Sequence, residues 1–311
     1  MTGARNHTID FLKCICIIGV VLHHCSNRRL LPEVREIFSY AAYLTDWCVI
    51  AFIGLSGFLE GSKSVAGNDW KAYVSRDCKR LLLPFLVLTV IYSGTFQLTD
   101  LCGIQLRSSV PSTFTGKFID TLLCRESGVA EQLYFLPLLL SIRLGTRIAI
   151  QILPVLFFTI TGYILLFVDE LQLTGLSTMT FLVGMQAYIL GLMASSNAKY
   201  AVITALVTGL SVGFKVHNWQ IVIGLFLPTI GSLYKIDVPL CNLIGSGAGT
   251  IFAYHTPVLL QSSIIAISFI HGIPGQCIAI VIVLSTLIVG IALLRRKLHG
   301  YTTGFPRIML F

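Results

Sequence analysis

The sequence predicts an all-α protein: a polytopic bundle of about ten transmembrane helices that forms one domain over residues 1–311, with both termini in the cytoplasm. Composition gives the first reason, because 55% of the residues are hydrophobic and 12% are charged, whereas a soluble domain carries about 25% charged residues. Long apolar runs recur along the chain, and basic residues are distributed unequally between alternate loops. These three observations favour an integral, multi-pass membrane protein.

Each span needs about 20 mostly apolar residues. The predicted spans cover roughly 9–26, 38–59, 81–99, 131–143, 148–168, 173–195, 199–214, 219–234, 246–269 and 277–294. An even number of spans places both ends on one side. Basic residues are more frequent in the loops and ends that this arrangement puts inside, which include Arg143, Arg147 and Arg295, although Arg28, Arg29 and Arg35 oppose the trend. The positive-inside rule therefore predicts cytoplasmic termini.

The chain carries a net charge of +8 and nine cysteines. The charge suits anionic membrane lipid, but the basic residues are scattered over loops, which argues against a nucleic-acid partner. The cysteines form no CxxC and no Cys/His group with zinc spacing, so no metal site is expected.

The first apolar run follows Arg5 and lacks a small-residue cleavage site, so we expect it to remain as a span.

The first span carries Asp10, Lys13, His23 and His24. In an α-helix each residue is rotated by about 100° from the one before it and lies about 1.5 Å further along the axis. Lys13 and His24 therefore lie roughly 20° apart around the axis and about 16 Å apart along it. Asp10 falls about 40° from His24 on the other side, whereas His23 points about 80° away from Lys13. Because ionisable residues within a span are costly and usually functional, this polar stripe is a candidate catalytic element.

Arg76, Lys79 and Arg80 form a basic cluster just before the third predicted span. Such a cluster commonly anchors a helix end at the membrane surface. Alternatively it binds phosphate groups, for which the planar fork of arginine is well suited.

Small residues end the second span at Gly54, Ser56 and Gly57, and they indicate either close helix packing or a binding role. Glu131 and Tyr134 lie at the edge of a later span and are candidates for substrate contact, although an aromatic belt would also explain Tyr134.

A glycine-rich run, 245–249, leads to His255 and Pro257. Small residues followed by a proline kink predict a polar notch in which His255 is a candidate substrate-binding group. A histidine that is only part of the hydrogen-bonded structure is the alternative.

The order of these patches resembles the acyltransferase-3 family of integral membrane acyltransferases, which includes O-antigen and other cell-surface sugar O-acetyltransferases. The segments that carry the resemblance are Lys13 with His24, Ser56-Gly57-Phe58, Arg76 to Pro84, Tyr134-Phe135-Leu136, and Tyr254-His255-Thr256-Pro257. Lys13 stands where arginine is commoner, and Tyr134 stands where tryptophan is commoner. Together the segments extend over roughly residues 5–295.

The resemblance implies acetyl-CoA as the donor, bound from the cytoplasm, and a hydroxyl of a lipid-linked or cell-surface glycan, such as lipopolysaccharide, as the acceptor, in a bacterial inner membrane. Arg76, Lys79 and Arg80 would then hold the CoA phosphates. His24 would act as the general base on the sugar hydroxyl, with Lys13 and Asp10 orienting the donor or balancing charge.

Two questions stay open at the level of sequence. Transfer is direct with His24 as base, or it passes through an acetyl-histidine intermediate. A small-molecule transporter is the alternative function, since charged stripes and broken spans occur there too. The patches concentrate in the first half of the chain and show no internal duplication, which favours the enzyme.

Overall fold

A computed structural model describes residues 6–26, 29–61, 70–104, 106, 110–125, 128–152, 172–173, 176–196, 206, 219–255 and 258–299. The described part is almost entirely helical, which confirms the predicted all-α class. A two-residue antiparallel strand pair, Gln172–Leu173 with Leu176–Ser177, precedes one helix. The predicted span 199–214 lies outside the described residues apart from residue 206, as does most of 148–168.

Seven α-helices are described in the first half of the chain. They are α1 (His7–His23), α2 (Pro32–Thr45), α3 (Trp47–Gly61), α4 (Trp70–Asp77), α5 (Leu83–Leu101), α6 (Phe114–Leu122) and α7 (Phe135–Ile152). A π-helical segment, Cys78–Leu82, joins α4 to α5, and a 3₁₀ turn, Glu131–Tyr134, leads into α7.

The second half contributes six further described helices. They are α8 (Thr178–Ser196), α9 (Trp219–Leu233), α10 (Pro239–Ser246), α11 (Ala248–Tyr254), α12 (Val258–Ile267) and α13 (Ile273–His299). The predicted span 246–269 is thus divided, since α11 ends at Tyr254 and α12 begins at Val258. This division agrees with the kink expected near His255.

Three continuous helical stretches in the described part are long and apolar enough to cross a bilayer: Pro32–Gly61, Trp70–Leu101 and Ile273–Lys297. Phe181–Ser195 and Val222–Gly231 are shorter apolar helices. The count of ten spans and the cytoplasmic termini therefore stay predictions.

The predicted break between the spans 131–143 and 148–168 is wrong, because α7 runs without interruption from Phe135 to Ile152. Arg143 and Arg147 suggested a surface loop at this point in the sequence. Arg143 is instead buried and ion-paired, so its charge does not end the helix. Arg147 lies over the ring of Tyr73, with its guanidinium carbon 4.1 Å from the ring centroid.

The first helix is central to the bundle. α1 contacts α2, α3, α9, α10 and α11, and its buried residues belong to the main hydrophobic core. Its first turn is capped by the side chain of Asn6, which accepts a hydrogen bond from the amide of Ile9. On the face with Asp10, Lys13 and His24, Asp10 is buried and the other two side chains are half-buried.

Glycines allow α3 and α8 to pack closely against each other. A Cβ atom on Gly191 would overlap the carbonyl oxygen of Gly54, and one on Gly57 would overlap the carbonyl oxygen of Tyr188. The small residues of α3 were expected to serve either helix packing or binding. Gly54 and Gly57 thus serve close backbone packing. Ser56 lies on a different face, which lines a cavity.

The segment between α5 and α7 contains a buried lysine. Lys117 of α6 is fully buried, and its Nζ lies 2.9 Å from Gln97 Oε1, the Ser112 carbonyl oxygen and Asp100 Oδ2. A buried ammonium needs such partners to offset its lost hydration. These contacts fix α6 against the end of α5.

We expect cysteine labelling to test the predicted orientation, which puts residues 100–130 outside. Cys102 is exposed, whereas burial raises the pKa of the Cys124 thiol to about 11. In a variant that keeps only these two cysteines, an impermeant maleimide added to intact cells should label Cys102 quickly and Cys124 slowly at neutral pH, because the thiolate is the nucleophile. The rate at Cys124 should rise about tenfold per pH unit below its pKa. Labelling of Cys102 only after lysis would contradict the orientation.

Candidate active site

A cavity of about 290 Å³ lies between α1, α3, the end of α4, α7, α10, α11, α13 and the π-helical segment. It is lined by Lys13, Phe52, Ser56, Leu59, Glu60, Asp77, Arg80, Leu81, Phe135, Leu136, Leu139, Arg143, Gly245, Ser246, Ala248, Gly249, Phe252 and Arg295. One part of this lining is charged and the other is apolar and aromatic. The predicted notch at 245–249 forms part of its wall.

Four cations from four different elements line the cavity. Lys13 comes from α1, Arg80 from the π-helical segment, Arg143 from α7 and Arg295 from α13. A concentration of positive charge beside apolar walls favours an anionic group attached to an apolar or weakly polar chain.

Two carboxylates also line the cavity, and both are ion-paired with Arg143. Its Nε lies 2.8 Å from Asp77 Oδ2, and its Nη2 lies 3.1 Å from Asp77 Oδ1 and 2.8 Å from Glu60 Oε2. Arg76 reaches the same carboxylates from the more exposed side, with Nη2 2.9 Å from Glu60 Oε1 and Nε 3.3 Å from Asp77 Oδ1. We call these four residues the Arg143 network.

The three basic residues predicted to bind CoA phosphates are in different surroundings. Arg80 faces the cavity, Arg76 donates to Glu60 and Asp77, and Lys79 is exposed and absent from the cavity lining. The π-helical segment Cys78–Leu82, which contains Lys79 and Arg80, lies between Arg76 and the start of α5. π-Helical turns of this kind are common at functional sites.

His24 and His255 meet at the opposite end of α1 from Lys13. Their ring centroids are 5.4 Å apart, with the ring planes inclined at 45°. His24 follows the last residue of α1 and is half-buried, whereas His255 follows the last residue of α11 and is fully buried. The helix ends thus bring together two imidazoles that are 231 residues apart in the sequence.

The backbone fixes the protonation pattern of His255. Its Nδ1 lies 3.0 Å from the carbonyl oxygen of Ile251 and 2.9 Å from that of Phe252. Nδ1 therefore carries the hydrogen, and in the neutral ring Nε2 keeps its lone pair. Nε2 is buried and has no hydrogen-bond partner among the described residues, so it is available to accept a hydrogen bond from a ligand.

An aromatic row connects the cavity to the two histidines. The ring of Phe252 lines the cavity, with its centroid 4.8 Å from that of Phe135 and 6.1 Å from that of His255. The cavity and the imidazole pair are therefore adjacent, separated by one aromatic side chain.

The adjacent His23 lies in a different environment. It is exposed, and its Nδ1 lies 3.2 Å from Asp46 Oδ1 and 3.4 Å from the carbonyl oxygen of Ala42. His23 therefore faces α2, and His24 faces His255, as the rotation along an α-helix predicts.

The remaining candidates lie around the cavity. Asp10 is buried where α10 packs on α1, because Gly245 lets the two backbones approach at the Asp10 carbonyl oxygen. Tyr134 is half-buried against the core and immediately precedes the cavity-lining Phe135. Glu131 begins the 3₁₀ turn, and its side chain lies outside the described part.

Sequence reasoning missed four cavity residues: Glu60, Asp77, Arg143 and Arg295. The two arginines were interpreted as topology signals at helix ends. The acids offered a usable signal, since Glu60 ends an apolar span and Asp77 interrupts a basic run. Charged residues at such positions need partners.

The model of an acyltransferase domain matches residues 6–295 of this chain. Together with the long apolar helices, the match defines the protein as a membrane acyltransferase. The chain belongs to the acyltransferase-3 family, which confirms the resemblance found in the sequence. No curated protein and no solved structure matches it. Family membership does not favour the transporter alternative.

Proposed function

We propose that this membrane acyltransferase moves an acetyl group from cytoplasmic acetyl-CoA to a hydroxyl of a lipid-linked or cell-surface glycan, such as lipopolysaccharide, in a bacterial inner membrane. The observation that carries the proposal is the adjacency of a cationic cavity and an imidazole pair, bridged by Phe252. The charged part suits the phosphates of CoA, and the aromatic row leads toward groups that can activate a hydroxyl.

The donor would enter with its phosphates toward Lys13, Arg80 and Arg295. The cavity volume of about 290 Å³ is at the lower end of the range for small-molecule sites, roughly 300–1,000 Å³. It would therefore hold only part of acetyl-CoA, with the nucleotide at its mouth and the pantetheine arm beside Phe135 and Phe252.

His24 would act as the general base. Its imidazole takes the proton of the sugar hydroxyl while the hydroxyl oxygen attacks the thioester carbonyl; the C–S bond then breaks and the CoA thiolate accepts the proton. Histidine suits this role because its unperturbed pKa of about 6.5 is near the working pH. Transfer through an acetyl-His24 intermediate gives the same products and is the alternative path.

His255 would position the acceptor. Because its Nδ1–H is held by backbone carbonyls, Nε2 can accept a hydrogen bond from a sugar hydroxyl placed beside His24. Glu131 and Tyr134 precede the cavity-lining Phe135 and are proposed as further contacts to the sugar. Lys13 and Asp10 would orient the donor or balance charge at the other end of α1.

Mass spectrometry of the surface polysaccharide with and without the gene tests the proposal. The expected result is a mass gain of one acetyl group per modified sugar unit only when the gene is present. An unchanged polysaccharide, with acetyl-CoA consumed or bound, would leave a membrane acyltransferase with a different acceptor. Absence of acetyl-CoA binding would contradict the proposed donor.

Arg80→Ala should raise the KM for acetyl-CoA about tenfold, because it removes one cation from the cavity wall. Lys79→Ala is the matched control, since Lys79 is the preceding basic residue and is exposed away from the cavity. Donor titrations of purified protein would measure both effects. Equal KM values for Arg80→Ala and Lys79→Ala would exclude a specific phosphate contact by Arg80.

A further inference from the structure

We infer that Arg143 is a positioning residue for the donor: together with Arg76 it balances the charges of Glu60 and Asp77, two carboxylates in the wall of the cavity, so that the wall attracts rather than repels the phosphates of CoA. This inference rests on the proposed function. It assigns a role in the reaction to an arginine, and to two acids, that the family match does not single out.

The cavity wall contains acids as well as bases. Glu60 and Asp77 line the same cavity as Arg80, and both are almost entirely buried. Buried carboxylates without partners would repel an anionic ligand and would attract the nearby cations to themselves. The cavity can bind phosphate only if these two charges are already balanced.

The geometry of Arg143 provides that balance. Its guanidinium donates to both oxygens of Asp77 and to one oxygen of Glu60, all within 3.1 Å. Its side chain is only 9% exposed, so it is held away from solvent and directed at the acids. Arginine suits two neighbouring carboxylates because its donors form a rigid planar fork that matches carboxylate geometry.

Arg76 completes the balance from the other side. It contacts the second oxygen of Glu60 and one oxygen of Asp77, and its side chain is 42% exposed. Two guanidinium groups thus compensate two carboxylates. The other charged side chains of the wall, Lys13, Arg80 and Arg295, are all cationic.

The contacts of Arg143 with Asp77 also connect α7 to the start of the π-helical segment that carries Arg80. Loss of Arg143 would therefore act on the donor site in two ways, through charge and through the placement of Arg80. A test must separate the charge effect from simple loss of packing.

Charge-matched variants of the full-length purified protein provide that test. The charged wall together with Arg76 carries a net charge of +3. Arg143→Gln lowers this charge by one, Glu60→Gln raises it by one, and the double variant E60Q/R143Q restores it. Arg143→Lys keeps the charge but loses the fork.

We expect Arg143→Gln to raise the KM for acetyl-CoA about tenfold while kcat changes less than about threefold. Glu60→Gln should lower KM by about threefold, E60Q/R143Q should return KM to within about threefold of the wild type, and Arg143→Lys should lie between Arg143→Gln and the wild type. A purely structural role would not tighten donor binding in Glu60→Gln and would leave the double variant at least as weak as Arg143→Gln.

Binding of CoA to the wild-type protein is measured first, by thermal shift, so that a missing donor site is recognised as failure of the proposed function alone. When the wild type binds CoA, an unchanged KM in Arg143→Gln overturns the inference. If Arg143→Gln does not accumulate, Glu60→Gln decides, and an unchanged or raised KM in that variant overturns it.

Discussion

Replacement of His24 by alanine is expected to abolish acetyl transfer while the protein still inserts and binds CoA. His24 lies 5.4 Å, centroid to centroid, from His255 and is the half-buried imidazole at the end of α1 that faces the aromatic row. Without a base, the sugar hydroxyl is a weak nucleophile, so kcat should fall by about 10²–10⁴-fold. Transfer from radiolabelled acetyl-CoA to glycan in isolated membranes measures this loss.

His23→Ala is the control for His24→Ala. It removes the adjacent imidazole, which faces Asp46 and α2, and should keep most of the activity. Thermal shift with CoA checks that both variants retain the proposed donor site, which includes Lys13 in the cavity wall. Full transfer by a well-expressed His24→Ala protein would refute the general-base role.

Replacement of Gly191 by alanine is expected to destabilise the protein strongly. The added Cβ would overlap the carbonyl oxygen of Gly54 and lie 2.7 Å from the amide nitrogen of Phe58. Both contacts are with backbone, so α3 must move away from α8 as a unit. Overpacking typically costs about 1–3 kcal/mol, and a backbone clash should reach or exceed the upper end of that range.

The displacement would also disturb the cavity, because α3 carries Phe52, Ser56 and Glu60 in its wall. Accumulation in the membrane and the midpoint of thermal unfolding measure the effect. Gly94→Ala is the matched control, since no described atom lies within 4 Å of the added Cβ in α5. If Gly191→Ala unfolds at the same temperature as Gly94→Ala, the close α3–α8 packing is not essential.

The sequence was sufficient to predict the all-α class, the division of the helix near His255 and the separate directions of His23 and His24. Each of these depends on local information: hydropathy, a proline, or the rotation per residue of one helix. The adjacency of His24 and His255 is not local, because it depends on how the ends of α1 and α11 meet.

The Arg143 network could not be predicted for the same reason. Arg143 pairs with Asp77 and Glu60 across 66 and 83 residues of sequence. In the sequence alone, a charge at the end of an apolar run indicates the membrane surface. This interpretation led to the incorrect prediction of a break in α7. The compensating charge is visible only when the helices are packed.

The π-helical segment Cys78–Leu82 has a consequence for helical phase. It lies within one continuous helical stretch, Trp70–Leu101, and its wider turn accommodates one residue more than an α-turn. One residue corresponds to about 100° of rotation, so this segment sets the angle between the half that carries Arg76 and the half that buries Phe85, Leu88 and Tyr92. A change in the length of this segment would therefore rotate the buried side of α5 relative to Arg76 and its contact with Glu60.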